Sequence, residues 1–174
     1  MEKNDIDNFR SLIKYADEKN VIFKINDNNK NEEFPLHWII KNNHSDLMKL
    51  FLEYLSKHQV NLNINSKDND DEFPLLLAIG QNNMDIIQML ITYAENHNVI
   101  LNLNDTNIYG ESPILLALKK ENKTIFKKLI KYAEKFNITI ELIRNIIIEE
   151  NLNIINKYKN RVRIVYVNNN GNYI

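Results

Sequence analysis

Blocks of apolar residues return at a fixed spacing along the chain. The three clearest blocks each begin at a proline, and these prolines lie at positions 35, 74 and 113. Three further residue classes keep the same spacing of 39: Tyr15, Tyr54, Tyr93 and Tyr132; Val21, Val60, Val99 and Ile138; Asn26, Asn65 and Asn104. A constant period between about 20 and 50 residues is the signature of stacked repeats. The sequence therefore predicts a repeat architecture.

One period predicts a helix, a turn, a second helix and an extended arm. In the third period Ser112 and Pro113 suit the cap and the first position of an inner helix, and residues 114–118 are apolar on nearly every side, which favours burial. The inner helix is expected to end at a pair of polar residues, where asparagine suits a left-handed helix end. An outer helix with one apolar face follows, as at 85–94. The arm at 99–104 alternates in polarity, which predicts a short strand. A polar segment before the next proline completes the period, and we call it the finger loop.

These motifs resemble the ankyrin repeat. The inner-helix pattern of that family, Thr-Pro-Leu-His-x-Ala, is approached at 34–39, 73–78 and 112–117, and its outer-helix pattern at 46–51 and 85–90. The loop at 104–113 matches the family loop without a gap, with Asn107 and Gly110 at its Asp and Gly positions. The resemblance covers residues 5–140 and implies an all-α repeat solenoid of helix-turn-helix repeats with β-hairpin-like finger loops.

The chain departs from the ankyrin pattern in two ways. Its repeats are 39 residues long instead of 33, and the six additional residues fall near 94–102. Glu32 and Asp71 occupy the loop Gly position in the other two loops, so we expect those turns to be formed differently.

The period also predicts the domain organisation. A repeat array spans 1–160, with a capping helix and arm at 1–25, repeats at 26–64, 65–103 and 104–142, and a terminal cap at 143–160. Within this scheme we expect a lone outer helix at 4–19, a helix at 139–148 and a weaker helix at 151–158. The segment 161–167 has the pattern of a strand, and 168–171 that of a turn. This 161–174 tail is either a hairpin against the cap or the first strand of a further domain.

Composition narrows the classes of function. The net charge is −1 and cysteine is absent, which excludes disulfides and thiol chemistry and argues against nucleic acid as the partner. No apolar run approaches the roughly 20 residues of a membrane span, and the first residues lack a secretion signal. We therefore expect a cytosolic or nuclear location, with the cytoplasm preferred, and no membrane association. We also expect a monomer. The 31 asparagines are interpreted as a bias of the genome and not as specific chemistry.

The inventory of reactive residues argues against catalysis. The glycines, at 80, 110 and 171, are too scattered for a phosphate-binding loop, and no metal-binding motif is present. The histidines (His37, His44, His58 and His97) are interpreted as structural. The acidic run 68–72 fails as a calcium loop because Phe73 and Ile79 occupy the positions that require Gly and Glu. We expect a protein that is not an enzyme and has no cofactor and no metal.

Charge is distributed unevenly. The three finger loops, 26–33, 65–72 and 104–111, carry nine acidic residues and two lysines, whereas 119–135 carries seven lysines and two glutamates. This contrast is either an ordinary charged surface or a means of steering a basic protein partner, and steering would make binding sensitive to salt.

Two functions fit these observations. The first is a protein–protein interaction module, because the resemblance implies contact through finger-loop tips and inner-helix ends. The second is a structural spacer or scaffold segment of a longer protein, which the unpaired character of 161–167 favours. Trp38 and the periodic tyrosines are mainly expected to be packing residues, whereas Ile108 and Tyr109 at a loop tip are the best candidates for an exposed anchor. The predicted partner-binding residues are Lys30, Asn31, Glu33, Asn69, Asp70, Glu72, Ile108, Tyr109, Glu111, Gln81 and Lys120.

Overall fold

The computed structural model describes residues 2–29, 34–143 and 149–165. The chain forms two compact units, the first ending at Leu101 and the second beginning at Asn102. The first unit contains α1 (Glu2–Lys19), α2 (Pro35–Lys41), α3 (Ser45–His58), α4 (Pro74–Gly80) and α5 (Met84–His97). The second contains α6 (Pro113–Lys119), α7 (Lys123–Lys135), β1 (Ile140–Ile143), α8 (Glu149–Asn156) and β2 (Val162–Val165).

The inner helices α2, α4 and α6 begin at the periodic prolines, as predicted. Proline suits this position because its missing N–H group would have no intrahelical partner there. Ser112 caps α6 by accepting a hydrogen bond from the Leu115 N–H group. In α4, Pro74 to Ile79 are all buried, so the prediction of a buried inner helix is confirmed.

Asparagine and similar polar residues form the turns between inner and outer helices. Asn83 caps α5 and Asn122 caps α7, each by accepting two backbone N–H hydrogen bonds. The residue before each outer-helix cap has a positive φ, and these residues are Asn43, Asn82 and Glu121. Asparagine tolerates this left-handed conformation better than most residues. The predicted helix ends are confirmed, and these asparagines have structural roles that a genomic bias does not describe.

The arms are extended but, before Ile140, the described arm residues form no β-strand, so the strand prediction is wrong there. The alternation itself is confirmed, because Leu101 and Leu103 are buried while Asn104 is exposed. Asparagine side chains bridge the described arms.

The periodic asparagines make these bridges in both units. The Asn26 amide donates to the Asn61 carbonyl at 2.7 Å and accepts from the Asn63 N–H group at 2.8 Å. Asn65 donates in the same way to the Ile100 carbonyl. In the second unit Asn104 bridges to the segment after α7. Its Nδ2 atom donates to the Thr139 carbonyl, and its Oδ1 atom accepts the Glu141 N–H group.

Two of the periodic tyrosines fasten outer helices of the first unit to the preceding arms. The Tyr54 hydroxyl accepts the Phe23 N–H group, and the Tyr93 hydroxyl accepts the Leu62 N–H group. Both rings are buried, which confirms their interpretation as packing residues. Tyr15 differs, because its side chain is exposed on α1.

Helix α1 is the lone outer helix expected near 4–19. It packs on α3, with Ala16 buried and the ring centroids of Phe9 and Phe51 6.3 Å apart. Asp17 reinforces this contact by pairing with Lys57 at 2.6 Å. The division of the chain into caps and repeats stays a prediction.

The C-terminal segment differs from the prediction. Ile140–Ile143 is a strand and not part of a helix, and it pairs in parallel with β2 in the register Ile140 with Val162. A hairpin is therefore wrong for 162–165, since parallel strands need a crossover, here containing α8. Ile140 and Leu142 point into the core while Glu141 is exposed and pairs with Arg163. The predicted turn at 168–171 lies outside the described residues.

Candidate functional site

The finger loop of the first unit is built around the side chain of Asp68. Its Oδ1 atom accepts the N–H groups of Asp70 at 3.0 Å and Glu72 at 2.9 Å. The backbone closes the same turn, with the Asp68 N–H group donating to the Glu72 carbonyl and the Asp71 N–H group to the Asp68 carbonyl. One carboxylate thus organises the whole loop tip.

Asp68 is also ionically paired. Its Oδ2 atom lies 3.0 Å from Nζ of Lys41, at the end of α2. Burial alone would raise the pKa of Asp68, but the hydrogen bonds from Lys41 and from the backbone outweigh it and hold the pKa below its ordinary value of 3.8. Because this carboxylate already binds three donors, it does not contribute to an acidic binding surface, and the charge count from sequence overstates the acidity of the loop.

The finger loop of the second unit has the same internal design. Asn107 Oδ1 accepts the N–H groups of Tyr109 and Glu111, each at 3.0 Å. The Asn107 N–H group donates to the Glu111 carbonyl, and the Gly110 N–H group donates to the Asn107 carbonyl. Asn107 and Asp68 are 39 residues apart, so equivalent residues organise both loops.

Gly110 and Asp71 occupy the same place in the two turns. Gly110 has a φ of +72° and Asp71 one of +55°, both in the left-handed region. The expectation that the loop with Asp71 forms a different turn is therefore wrong. Aspartate tolerates this conformation because its short side chain can interact locally. Glu32, in the remaining loop, lies outside the described residues.

Ile108 and Tyr109 project from the tip of the second-unit loop. Their side chains are 56% and 71% exposed. Neither residue fills a core, while the backbone beneath them is held by the Asn107 side chain. The structure places them as an exposed apolar pair on an ordered loop.

Glu111 is held at the base of the same tip. Its carboxylate accepts from Lys119 Nζ at 2.9 Å and from Asn107 Nδ2 at 3.2 Å. Partial burial would raise the pKa of Glu111, but these two hydrogen bonds and the lysine charge hold it below 4.5. Glu111 therefore supports the loop through its carboxylate, and its side chain is half-buried at the base of the tip.

The predicted residues of the first unit lie in two places. Asn69 and Asp70 are exposed at the loop tip, with Glu72 half-buried below them. Gln81, at the end of α4, donates to the Lys41 carbonyl at the end of α2, so it joins two inner-helix ends. Lys120, in the second unit, is exposed just after α6. Lys30, Asn31 and Glu33 lie outside the described residues.

Sequence reasoning missed the role of Asp68 as a loop organiser and the exposure of Trp38. Trp38 is 42% exposed on α2, whereas Leu77, its equivalent one period later, is buried. The sequence signal for this exposure was the change of residue type between the two equivalent positions, from tryptophan at 38 to leucine at 77.

The histidines have structural surroundings. His37 is fully buried, and its Nε2 atom lies 3.1 Å from the Glu72 carbonyl. Burial lowers the pKa of His37 below 6.5, although the hydrogen bond to Glu72 opposes the shift. His58 and His97 pack against Tyr54 and Tyr93 respectively.

The described residues contain neither a cluster of metal-binding side chains nor a helix suited to a membrane. No group of three His, Cys, Asp or Glu side chains there could hold a metal ion. In the same residues, no helix combines the length and apolar character that crossing a membrane requires.

The comparison with protein families agrees with this repeat geometry. A family model for ankyrin repeats, which contains three copies, matches residues 1–100 and 55–141. The chain belongs to the ankyrin repeat family. No curated protein matches its sequence. Ankyrin repeats are generally protein–protein interaction modules, and the family is typically non-catalytic.

Proposed function

We propose that this ankyrin repeat protein is a non-catalytic module that binds a protein partner through its finger-loop tips and inner-helix ends. The observation that carries the proposal is a comparison of the two described loop tips. Both are held by the same hydrogen bonds, which two backbone N–H groups donate to the side chain of Asp68 in one loop and of Asn107 in the other. An ordered surface of this kind loses little conformational entropy on binding.

The side chains at the two tips differ although the backbones correspond. Asn69 and Asp70 occupy the positions that Ile108 and Tyr109 occupy one period later. The fold does not require either pair, because both project into solvent. Variable side chains on a constant loop are suited to partner recognition, with Ile108 and Tyr109 as an apolar anchor and Asp70 as an acidic contact.

The alternative of a structural spacer has less support. It depended on an unpaired strand at 161–167, and Val162–Val165 in fact pairs with Ile140–Ile143. The spacer hypothesis remains a prediction without a structural observation in its favour.

The anchor is tested with a double variant, Ile108→Ala with Tyr109→Ala. Partners are captured from native cells on the wild-type protein, identified, and then measured with purified components. We expect the variant to bind the partner at least roughly thirtyfold more weakly, the loss typical of a central aromatic contact.

The matched control replaces the same residue types elsewhere: Tyr15→Ala with Ile100→Ala. These side chains are also exposed, at 58% and 54%, but lie on α1 and on an arm. The control should bind like the wild type. Equal affinity of the wild-type protein and the loop variant would refute the anchor.

A basic partner is proposed from the acidic tip of the first-unit loop. Its affinity should fall between low and physiological salt, because salt screens exposed charges. Asp70→Asn should reduce this salt dependence, and an affinity that is independent of salt would refute electrostatic steering.

A further inference from the structure

The outer helix α7 carries a regular row of lysines. Lys123, Lys127, Lys131 and Lys135 are spaced four residues apart and therefore form one row of neighbouring positions on the helix surface, about 6 Å apart along the helix axis. Lys123, Lys127 and Lys131 are exposed, and within the described residues none of these three forms an ion pair. Like charges at this spacing destabilise a helix, so the row needs an explanation other than helix stability.

The repeat itself supplies a comparison. One period earlier, α5 has Met84, Gln88, Thr92 and Asn96 at the equivalent positions. The Gln88 amide donates to the Thr92 hydroxyl at 3.0 Å. Two neutral residues thus occupy the positions on α5 that lysines occupy on α7. The ankyrin fold therefore does not require the lysines of α7.

The opposite face of α7 already has its packing role. Ile125, Phe126, Leu129 and Ile130 are buried, as are Tyr132 and Ala133. The lysine row is thus on the side of the helix that is available to a partner.

We propose that the first three lysines of this row, Lys123, Lys127 and Lys131, bind an acidic α-helix of a protein partner. An α-helix with a carboxylate at every fourth residue repeats its charges at the same spacing of about 6 Å. When such a helix crosses α7 at about 50°, its row of carboxylates runs parallel to the row of lysines, with the closest pairing at the central lysines, Lys127 and Lys131. Charge complementarity at matched spacing provides register as well as attraction.

The surroundings favour an acidic helix over other polyanions. The exposed positions of α7 contain no aromatic side chain, whereas binding to single-stranded nucleic acid generally uses base stacking. They also contain no apolar side chain that could enter a lipid surface. Duplex DNA is disfavoured by the net charge of −1 over the whole chain.

The test uses the full chain and a fluorescent helical peptide with glutamate at every fourth position. The variant Lys127→Gln with Lys131→Thr transfers the α5 residues to α7, so the helix is expected to stay folded. We expect this variant to bind the peptide at least roughly threefold more weakly than the wild type, because two exposed ion pairs are lost. Circular dichroism verifies that both proteins have the same helix content.

Two controls separate geometry from bulk charge. Lys14→Gln with Lys24→Thr makes the same change of charge on exposed lysines of the first unit, and it should leave affinity unchanged. A helical peptide of identical composition, with its glutamates distributed around the helix, should bind more weakly than the aligned peptide.

Three results would overturn the proposal. The first is equal weakening by the two double variants, and the second is equal affinity for the two peptides. The third is tighter binding to a single-stranded oligonucleotide or to anionic phospholipid vesicles than to the aligned peptide, which would assign the row to a different class of partner. The finger loops are unchanged in all of these proteins, so failure here leaves the proposed loop-mediated function to its own test.

Discussion

The carboxylate of Asp68 lies 3.0 Å from the ammonium group of Lys41, and the same carboxylate accepts two backbone N–H groups of its own finger loop. One side chain thus orders the loop tip and ties the loop to the end of α2. Asn107, one period later, keeps the backbone bonds but is neutral. Comparison of Asp68 with Asn107 therefore separates the role of ordering the loop tip from the role of forming an ion pair.

This separation predicts unequal effects of two substitutions. Asp68→Asn should destabilise the protein by about 1 kcal/mol, because the amide oxygen retains the backbone bonds and only the partly exposed ion pair is lost. Asp68→Ala should cost about 2–3 kcal/mol, because the loop N–H groups also lose their acceptor. Urea unfolding measures both values. Equal costs would show that the ion pair and not the loop hydrogen bonds accounts for the effect.

The buried His37 predicts a loss of stability on mild acidification. Its folded-state pKa lies below 6.5 because burial disfavours the charged ring, so the unfolded chain binds the proton more readily. The free energy of unfolding should therefore fall as the pH drops below 6.5 toward the lower folded-state pKa. Above pH 6.5 the stabilising contribution of the neutral His37 ring is complete.

His37→Gln should reduce this pH dependence, since glutamine can still donate to the Glu72 carbonyl but does not titrate. Urea unfolding at a series of pH values measures the slope. If His37→Gln left the pH dependence of the free energy of unfolding unchanged, His37 would not be its source.

The Asn26 bridge predicts a specific cost for losing an arm contact. Asn26→Ala removes one donor to the Asn61 carbonyl and one acceptor for the Asn63 N–H group. We expect about 1 kcal/mol of destabilisation, because these bonds are exposed and water replaces them in part. The measurement is thermal or urea unfolding, with Asn28→Ala at an exposed neighbouring position as a neutral control. Equal stability of the two variants would contradict the bridging role.

Helix α1 is predicted to shield the first repeat. Deleting residues 1–19 would uncover Phe51, which the Phe9 ring now covers, and would remove Asp17 from Lys57. We expect a lower melting temperature and a tendency to aggregate, because the apolar surface that α1 covers would be exposed to water. Size-exclusion chromatography and thermal unfolding test this, and a monomeric truncated protein with unchanged melting would refute it.

Prediction from sequence succeeded where the signal is local. Pro113 starts a helix through its own geometry, and the block that follows it is apolar without regard to any distant contact. Asn82 ends a helix turn by its own left-handed conformation. The period of 39 repeats these local signals, which is why the inner and outer helices were found.

Prediction failed where a segment takes its structure from a distant partner. Ile140 to Ile143 alternates like the earlier arms, and it is a strand because Val162 to Val165 lies beside it. The earlier arms meet asparagine side chains instead, such as Asn65 at the Ile100 carbonyl. No local pattern distinguishes these outcomes. The same limit applies to charge, since Asp68 counts as an acidic surface residue until Lys41 is found beside it.

The sequence by itself determined the repeat, its helices and the residues at the finger-loop tips, because these depend on residues close together in the chain. Only the tertiary structure decided that Asp68 and Asn107 form the same turn, that the arms are joined through side chains, and that β1 pairs in parallel with β2. Those features depend on atoms that folding brings together from positions up to tens of residues apart. Hydrogen bonding and burial at that range depend on three-dimensional proximity, which the order of residues does not state.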